Sequence, residues 1–291
     1  LGVLLFDSVA YKTVVSNGLV LDKNGNKMSK RLGNVVDPFE TLGIFGADAT
    51  RWYLITNASP WDNLKFDLEG IKEVQRKFFG TIYNTYQFYA LYANVDHFHN
   101  QDEYIPVNER TELDRWIISE LHSLIAKVTT DLNNYEPTSA GRAIDAFVND
   151  QLSNWYVRLS RRKFWKPART ENGQADPSGL KEKIAAYQTL LECLVNVSKL
   201  MAPIAPFFAD WLFKNLHQDE SQPASVHLTD FPVSDLSKID TDLENRMKLA
   251  QDISSLILSL RKKVNIKVRQ PLQKVIIPSL GSDFEKMLAS V

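Results

Sequence analysis

Apolar residues recur at intervals of three and four along most of this chain, which is the period of an amphipathic helix. The first such run extends from Asp67 to about Val95, with Ile71, Phe78 and Ala93 among its apolar positions. A helix of this extent is about 43 Å long at about 1.5 Å per residue. The later runs predict an antiparallel bundle. They span about Glu109 to Asn134, Thr138 to Trp165, Pro177 to Leu216 with a break near Pro203 and Pro206, and Thr241 to Val264.

The two ends of the chain have a different pattern. Up to about residue 56, the short β-prone runs KTVV and LVLD alternate with turn residues, which predicts the trailing edge of an α/β domain.

Two capping boxes mark helix starts. Asp37 and Pro38 begin a helix, with Glu40 placed to complete its capping box, and Thr241 to Glu244 form the second box. After Val264, polar and apolar residues alternate with the period of a strand, and VIIP could add another.

These patterns predict a mainly α fold, in which an antiparallel helical bundle follows the α/β edge. We expect residues 1–66 to end an α/β domain and 67–108 to form a connecting helix and linker. The bundle occupies 109–264, and 265–291 form a C-terminal junction that could contain short strands.

Composition limits the kinds of partner. Among the 291 residues, 34 are basic and 35 acidic, so contact with a polyanion must come from local clusters of charge. Cys193 is the only cysteine, so we expect no disulfide framework, no zinc site and a reducing, cytoplasmic setting. His97 and His99 fit a polar loop better than a metal site. The apolar start LGVLLF is too short for a membrane span, and Leu1 suggests a piece of a longer protein.

The segment LDKNGNKMSKRLGNVVD, residues 21–37, contains the strongest candidate chemistry. Lys27 and Lys30 lie three residues apart in a loop flanked by Gly25 and Gly33, an arrangement suited to a mobile clamp on phosphate oxygens. A solvated hairpin is the alternative, because Asn24 followed by glycine favours a type I′ turn. Within the loop, Ser29 could bond a phosphate oxygen, and Met28 is better explained as packing that holds the loop.

A second candidate is a basic run near the end of the helix predicted from Thr138. Trp155 and Trp165 are interleaved with its cations, as in surfaces that bind RNA phosphates and unstacked bases. The alternative is a core stripe, ending at Leu159, with cations that favour a helix C-terminus. A third basic group around NIKVRQPL fits a charged strand edge as well as it fits RNA. The candidate RNA contacts are Arg158, Arg161, Arg162, Lys163 and Lys166, and the third group is Arg261, Lys262, Lys263, Lys267 and Arg269.

The run KMSKR resembles the KMSKS loop of class I aminoacyl-tRNA synthetases, with Arg31 where the family has serine. Further blocks resemble the isoleucyl members in order, namely GADATRWYL, SPWDNLKF, EVQRKFFGTIYN, LSNWYVRLSRRKFW and NIKVRQPL. The resemblance implies that Lys27 and Lys30 act in catalysis and that Lys27, Met28, Ser29 and Lys30 bind ATP, with Mg²⁺ accompanying it.

The same resemblance implies that the helical domain binds the tRNA anticodon region. The full protein would then join isoleucine to its tRNA as a monomer with no membrane contact. None of the histidines lies in the family's HIGH motif, so we expect no turnover from this chain alone. A valyl or leucyl enzyme is the nearest alternative, and a non-catalytic tRNA-binding helical module is another.

Overall fold

A computed structural model describes residues 1–98, 103–165, 177–216, 223–279 and 281–290, and the fold is mainly helical. Within these residues, no helix is both long and apolar enough to cross a membrane. The two short strands, β1 (Val20–Leu21) and β2 (Leu64–Lys65), pair in parallel. The helices are α1 Gly2–Phe6, α2 Pro38–Phe45, α3 Ala47–Asn57, α4 Leu68–Val74, α5 Gly80–Val95, α6 Glu112–Asn133, α7 Pro137–Ala146, α8 Arg158–Trp165, α9 Pro177–Met201, α10 Pro206–Leu216, α11 Thr241–Lys263 and α12 Ser282–Ala289.

Two π-helical segments each join two α-helices into one of the longer helices that the sequence predicts. Gln75–Phe79 joins α4 to α5, and Phe147–Val157 joins α7 to α8. The helix predicted from Asp67 to about Val95 is therefore continuous, and so is the one predicted up to Trp165. The predicted break between α9 and α10 is also confirmed. Pro206 has no amide hydrogen to donate and begins the second of these helices.

The cap predicted for α2 is present, because Asp37 Oδ1 accepts hydrogen bonds from the amides of Phe39 at 2.8 Å and Glu40 at 3.2 Å. The capping box predicted for α11 is wrong. Asp240, one residue earlier, caps that helix by accepting from Leu243 N at 3.0 Å. Glu244 turns away and accepts hydrogen bonds from serine hydroxyls of α6.

Most of the predicted strands do not form. KTVV has no strand, whereas LVLD contains β1, and the short helices α1 and α12 were not foreseen. No strand occurs within 264–279, where the polarity alternates. Arg261 is the physical reason, because its guanidinium Nη1 donates to the carbonyls of Lys267 at 2.8 Å and Gln270 at 2.7 Å. Those carbonyls are taken up in turns and are not available to a neighbouring strand.

Aromatic packing gives the N-terminal segment and the bundle one continuous core. Trp52 of α3 is fully buried and stacks on Phe78, with ring centroids 4.0 Å apart and planes 12° from parallel. Phe79 meets the Trp52 ring edge-on and then contacts Phe208 of α10. Such pairs contribute about 0.5 to 1.5 kcal/mol each beyond their burial. The helices on both sides are therefore held in one orientation.

Hydrogen bonds at helix ends complete this junction. Thr138 Oγ1 of α7 donates to the carbonyl of Ile55 at 2.6 Å, and Arg142 Nε donates to that of Thr56 at 2.8 Å. In return, Arg51 Nε of α3 donates to the carbonyl of Ile204 at 2.8 Å, just beyond the end of α9. The carbonyls of Ile55 and Thr56 are in the last turn of α3, where the helix itself provides no partner, and that of Ile204 is in the turn between α9 and α10. The end of α3 and the end of α9 are thus closed by side chains from across the junction.

The segment between α5 and α6, predicted as a linker, is also fixed to the bundle. Gln188 of α9 accepts a hydrogen bond from Ile105 N at 3.0 Å and donates to the carbonyl of Glu103 at 2.9 Å. Ile105 and Phe98 are both buried. The described part of this segment therefore packs on α9 as part of the same body.

Glu120 provides a test of the contact between α6 and α11 through pH. Burial, followed by the charge of Glu244, raises the Glu120 pKa from its ordinary 4.5 to about 7. The folded chain therefore holds a proton that the unfolded chain releases, so the free energy of unfolding falls as pH rises from about 4.5 to 7. We expect Glu120→Gln to raise the free energy of unfolding by about 2 kcal/mol at pH 8 and to change it little at pH 4.5.

Urea unfolding at the two pH values measures this difference, with Glu182→Gln as the control because Glu182 is exposed on α9. In the parent protein, Trp116 Nε1 donates to the Glu120 carboxylate at 3.1 Å. In the Glu120→Gln variant, it can donate equally well to the side-chain amide oxygen of the glutamine. A Glu120→Gln variant with the parent's stability at pH 8 would contradict the assignment.

Candidate functional site: a phosphate loop and a basic helical face

The loop that contains KMSKR begins with a tight hairpin after β1. Gly25 N donates to the carbonyl of Asp22, and Asp22 N donates to that of Asn26, both at 2.9 Å. Gly25 has a φ of 87°, whereas Asn24 is not among the residues with positive φ. The predicted type I′ turn is therefore wrong. The hairpin has a three-residue loop with glycine alone in the left-handed region, which is another common hairpin form.

An aspartate and an asparagine tie the two sides of the loop together. Asn34 Nδ2 donates to Asp22 Oδ2 at 2.9 Å, and Asn34 Oδ1 accepts from Ser29 N at 2.9 Å. The hydrogen bond from Asn34 is the main reason that the pKa of Asp22 is lowered. Sequence reasoning missed both residues. Their positions, directly after the strand and directly after Gly33, are the signal that could have indicated a side-chain closure of the loop.

The two lysines of the loop are exposed, while the residues between them hold the backbone. Within the part of the chain that the structure describes, no carboxylate lies within ion-pair distance of Lys27 or Lys30. Ser29 Oγ accepts from Leu32 N at 3.3 Å and so caps a 3₁₀ turn, Lys30–Leu32. Met28 is half-buried and packs against the core. The loop thus presents two unpaired ammonium groups on a braced turn.

Tyr53 of α3 supports the base of the loop. Its hydroxyl donates to the carbonyl of Lys65 in β2 at 2.9 Å and accepts from Asp67 N at 3.0 Å. Because β2 pairs with β1, the strand that leads into the loop is fixed to α3. Gly70 makes room for this arrangement, since a Cβ there would lie 2.4 Å from Cε2 of the Tyr53 ring. The loop is therefore anchored through α3 to the bundle.

The basic run on α8 contains exposed cations and one cation that forms an ion pair inside the bundle. Arg158, Arg161 and Arg162 are exposed, and Trp165, 56% exposed, lies on the same helical face because these positions are three or four residues apart. No ion pair to these arginines occurs among the residues that the structure describes. Leu159 was expected to end a core stripe, but it is 53% exposed. The face combines cations with one accessible aromatic ring.

Lys163, predicted to contact RNA, belongs instead to a buried network. Its ammonium lies 2.8 Å from Asp114 Oδ2 and donates to Thr111 Oγ1 at 2.6 Å. The Asp114 side chain is completely buried, and the Lys163 side chain is 17% exposed. Tyr156 donates its hydroxyl proton to Asp114 Oδ1 at 2.7 Å, and burial raises the Tyr156 pKa well above its ordinary value. Lys166, the last predicted contact, lies outside the described residues.

Two family models match this chain on either side of the connecting helix. Residues 1–67 match tRNA synthetases class I (I, L, M and V), and residues 114–276 match the anticodon-binding domain of tRNA ligase. The second match covers more than half of the chain. The chain therefore belongs to the class I tRNA synthetase family and carries that family's anticodon-binding domain.

Within this family, the chain is similar to isoleucine-tRNA ligases. It is 58% identical over 277 residues to the one from Bacteroides fragilis, which is 94% of this chain and 23% of that protein. It is 57% identical over 290 residues to the one from Cytophaga hutchinsonii, which is 99% of this chain and 25% of that protein. The chain thus spans about a quarter of the length of these relatives. Their names favour the isoleucyl interpretation over the valyl and leucyl ones.

Solved structures share the fold at much lower identity. A leucyl-tRNA synthetase from Agrobacterium radiobacter K84, solved in a ternary complex with tRNA, matches with a TM-score of 0.56 and 23% identity. That match covers 77% of this chain and 24% of the other. Methionyl-tRNA synthetase from Mycobacterium tuberculosis, in complex with methionyl-adenylate, matches with a TM-score of 0.54 and 18% identity over 72% of this chain and 42% of its own.

Neighbouring cations on α8 provide a test of the buried network. Lys163→Met removes the ionic partner of Asp114, and we expect it to lower the free energy of unfolding by about 3 kcal/mol, because an uncompensated charge stays buried. Arg162→Met removes the same formal charge from an exposed site and is the control, with an expected change within about 0.5 kcal/mol. Urea unfolding at pH 7 measures both values. Equal stability of the two variants would contradict the structural role of Lys163.

Proposed function

We propose that this chain forms part of an isoleucine-tRNA ligase, an enzyme that activates isoleucine with ATP and transfers it to its tRNA. Residues 1–66 would contribute the loop that closes on ATP phosphates. Residues 67–108 would connect that loop to an anticodon-binding bundle at 109–264, followed by the junction at 265–291. The observation that carries the proposal is the 58% identity to such ligases over 94% of the chain, which includes the intact loop and the basic helix.

The loop geometry suits the chemistry of amino-acid activation. The isoleucine carboxylate attacks the α-phosphorus of ATP, and pyrophosphate leaves with the electrons of the broken P–O bond. Negative charge grows on the phosphate oxygens as this happens, so cations that reach them during the reaction stabilise the transition state more than bound ATP. Lys27 and Lys30 are exposed, flexible and unpaired in the described chain, as such a role requires. Mg²⁺ accompanying ATP would share the same charge.

The roles of the other loop residues follow from their contacts. Met28 packs against the core, and Ser29 caps the turn that displays Lys30. We therefore assign both to holding the loop in shape next to ATP, with Ser29 N and Oγ already bonded inside the loop. The two lysines carry the electrostatic work. Removing either is expected to slow activation more than it weakens isoleucine binding.

The exposed face of α8 is the proposed contact for the anticodon region of tRNA. Arg158, Arg161 and Arg162 can each bond a phosphate, and the exposed ring of Trp165 can stack on an unpaired base. Lys163 is left out of this set because its charge is neutralised by Asp114 inside the bundle. The tRNA would be the isoleucine acceptor, as the names of the relatives suggest, and the enzyme would act as a monomer.

The clamp role is tested in the full-length enzyme. We expect Lys30→Ala to slow isoleucine-dependent exchange between ATP and pyrophosphate on the order of a hundredfold, because one preorganised cation is lost from the transition state. The dissociation constant for isoleucine should change less than about threefold. Lys23→Ala, which removes an exposed lysine at the hairpin tip, is the matched control. An exchange rate for Lys30→Ala equal to the control's would reject the clamp.

The RNA face is tested with the chain itself and an isoleucine-tRNA transcript. Fluorescence anisotropy at several salt concentrations gives the slope of log K against log salt. Each phosphate contact contributes roughly 0.7 to 0.9 to that slope, so neutralising Arg158, Arg161 and Arg162 to Gln should lower it by about 2. The control neutralises Lys12, Lys23 and Lys72, which lie elsewhere. Binding by the arginine variant that matches the control at every salt concentration would exclude this face.

A further inference from the structure

Asn34 lies outside the KMSKR run, yet its side chain is bonded to the backbone on both sides of Met28. Asn34 Oδ1 accepts from Ser29 N at 2.9 Å, and Asn34 Nδ2 donates to the carbonyl of Lys27 at 3.3 Å. Nδ2 also donates to Asp22 Oδ2 at 2.9 Å. A carboxamide has two N–H donors and one acceptor oxygen, so both N–H groups and the oxygen of this side chain are used inside the loop.

Asp22 connects Asn34 to the hairpin at the start of the loop. Asp22 Oδ1 accepts from the amides of Asn24 at 2.9 Å and Asn26 at 2.8 Å, while Oδ2 accepts from Asn34. Asp22 directly follows β1, so its carboxylate ties the interior of the loop to the strand that leads into it. The hydrogen bond from Asn34 is also the largest of the effects that lower the Asp22 pKa.

The support from Asn34 reaches Lys30 through Ser29. With its amide held by Asn34, Ser29 caps the 3₁₀ turn that begins at Lys30 by accepting from Leu32 N at 3.3 Å. Gly33 ends this turn with a φ of 65°, and its amide donates to the carbonyl of Lys30 at 3.2 Å. The next residue is Asn34 itself. Lys30 therefore lies on a short closed segment, 29–34, whose first and last residues are bonded to each other.

This arrangement determines which parts of the loop must be ordered during a reaction. The backbone at both lysines is already held, and their side chains are exposed. Groups that are in place before charge develops stabilise a transition state more, because no free energy is spent on ordering them at that moment. The Asp22 carboxylate does not cancel their charge, since no ion pair joins it to Lys27 or Lys30 within the described residues.

We propose that Asn34 and Asp22 are positioning residues for amino-acid activation. Asn34 holds the carbonyl of Lys27 and the amide of Ser29 at a fixed separation, and Asp22 holds Asn34. The two ammonium groups are thereby presented together, at a set position relative to β1. This inference rests on the proposed function for the reaction itself and adds two residues that act through the lysines without contacting ATP.

The experiment uses the full-length enzyme and measures isoleucine-dependent exchange between ATP and pyrophosphate. Asn34→Ala removes all three hydrogen bonds of the side chain. We expect kcat to fall on the order of tenfold and the KM for ATP to change less than about twofold, because misplaced lysines weaken the transition state more than bound ATP. Asn24→Ala is the matched control, since this exposed side chain of the same loop has no hydrogen bond among the described residues.

An exchange of the two side chains tests the direct bond between them. Asn34→Asp places a carboxylate against that of Asp22 and against the carbonyl of Lys27, so we expect a loss of rate at least as large as in Asn34→Ala. Adding Asp22→Asn returns a donor that faces the new carboxylate, while its amide oxygen still accepts from the hairpin amides. We expect the double variant to be about threefold or more faster than Asn34→Asp alone. No recovery of rate would contradict the bond's role.

A double-mutant cycle with Lys30→Ala separates positioning from a general effect on the fold. If Asn34 acts by placing Lys30, its loss matters less once that lysine is gone. We expect Asn34→Ala to slow the Lys30→Ala enzyme by less than about threefold, compared with about tenfold in the parent. Urea unfolding of each variant accompanies the cycle, and we expect the midpoint to stay at the parent's value because the bonds lie within 22–34.

The results that would overturn this inference differ from failure of the clamp. If Asn34→Ala matches Asn24→Ala while Lys30→Ala is slow, the positioning role is rejected and the clamp stands. The same tenfold cost in both backgrounds would show that Asn34 acts without Lys30, and a lower urea midpoint would then assign it to stability alone. If Lys30→Ala is as fast as its Lys23→Ala control, the clamp is rejected, and the positioning role is rejected with it.

Discussion

Closure of helix ends by side chains from the neighbouring segment is the interaction on which this structure depends. Arg51 bonds the carbonyls beyond α9, Thr138 and Arg142 bond those at the end of α3, and Asp48 Oδ2 accepts from Phe208 N near the start of α10 at 2.5 Å. Asp48 is buried, and this burial raises the pKa of its carboxyl group. A helix end buried without such partners would lose about 1 to 3 kcal/mol for each unmet group. Only one docking orientation meets all of them together.

That constraint determines what can move near the loop. The base of the loop is fixed to α3 by Tyr53 and β2, and α3 is fixed to the bundle, so the strand that enters the loop has a set position relative to α8. The interior of the loop is braced by Asp22 and Asn34. The side chains of Lys27 and Lys30 are long and exposed, so they are the charged groups of the loop that can reach a ligand. An ATP clamp built in this way would move its lysine side chains toward the phosphates. The base of the loop would keep a fixed position relative to the RNA-binding domain.

The sequence predicted the structure well where apolar residues recur with a regular period over many positions. It predicted the structure poorly where a single tertiary contact determines the local conformation. Long apolar periods predicted the helices from Leu68 to Lys263, since burying a helical stripe needs many consistent positions. The strands predicted after Val264 depended on a few alternating residues, and in the first of them the carbonyls of Lys267 and Val268 accept hydrogen bonds from Arg261 instead of from a neighbouring strand. Lys163 and Arg162 look equivalent in the sequence, yet one pairs with a buried aspartate 49 positions away. The hydrogen bond between Asp22 and Asn34 could not be predicted from the sequence either, because it forms only when the loop brings the two residues together.

The cations of this chain fall into two groups: those that pair with a carboxylate inside the protein and those that remain exposed without an ion pair. Lys163 and Arg110 face buried or half-buried carboxylates and contribute to folding, so they add little to the field that an approaching polyanion meets. Among the described residues, exposed cations without an ion pair include Lys27 and Lys30 on the loop and Arg158, Arg161 and Arg162 on α8. A nearly neutral chain can therefore present positive surfaces, because many of its acidic groups are engaged elsewhere. Local pairing, which net charge conceals, therefore decides where such a protein can present positive charge to an approaching polyanion.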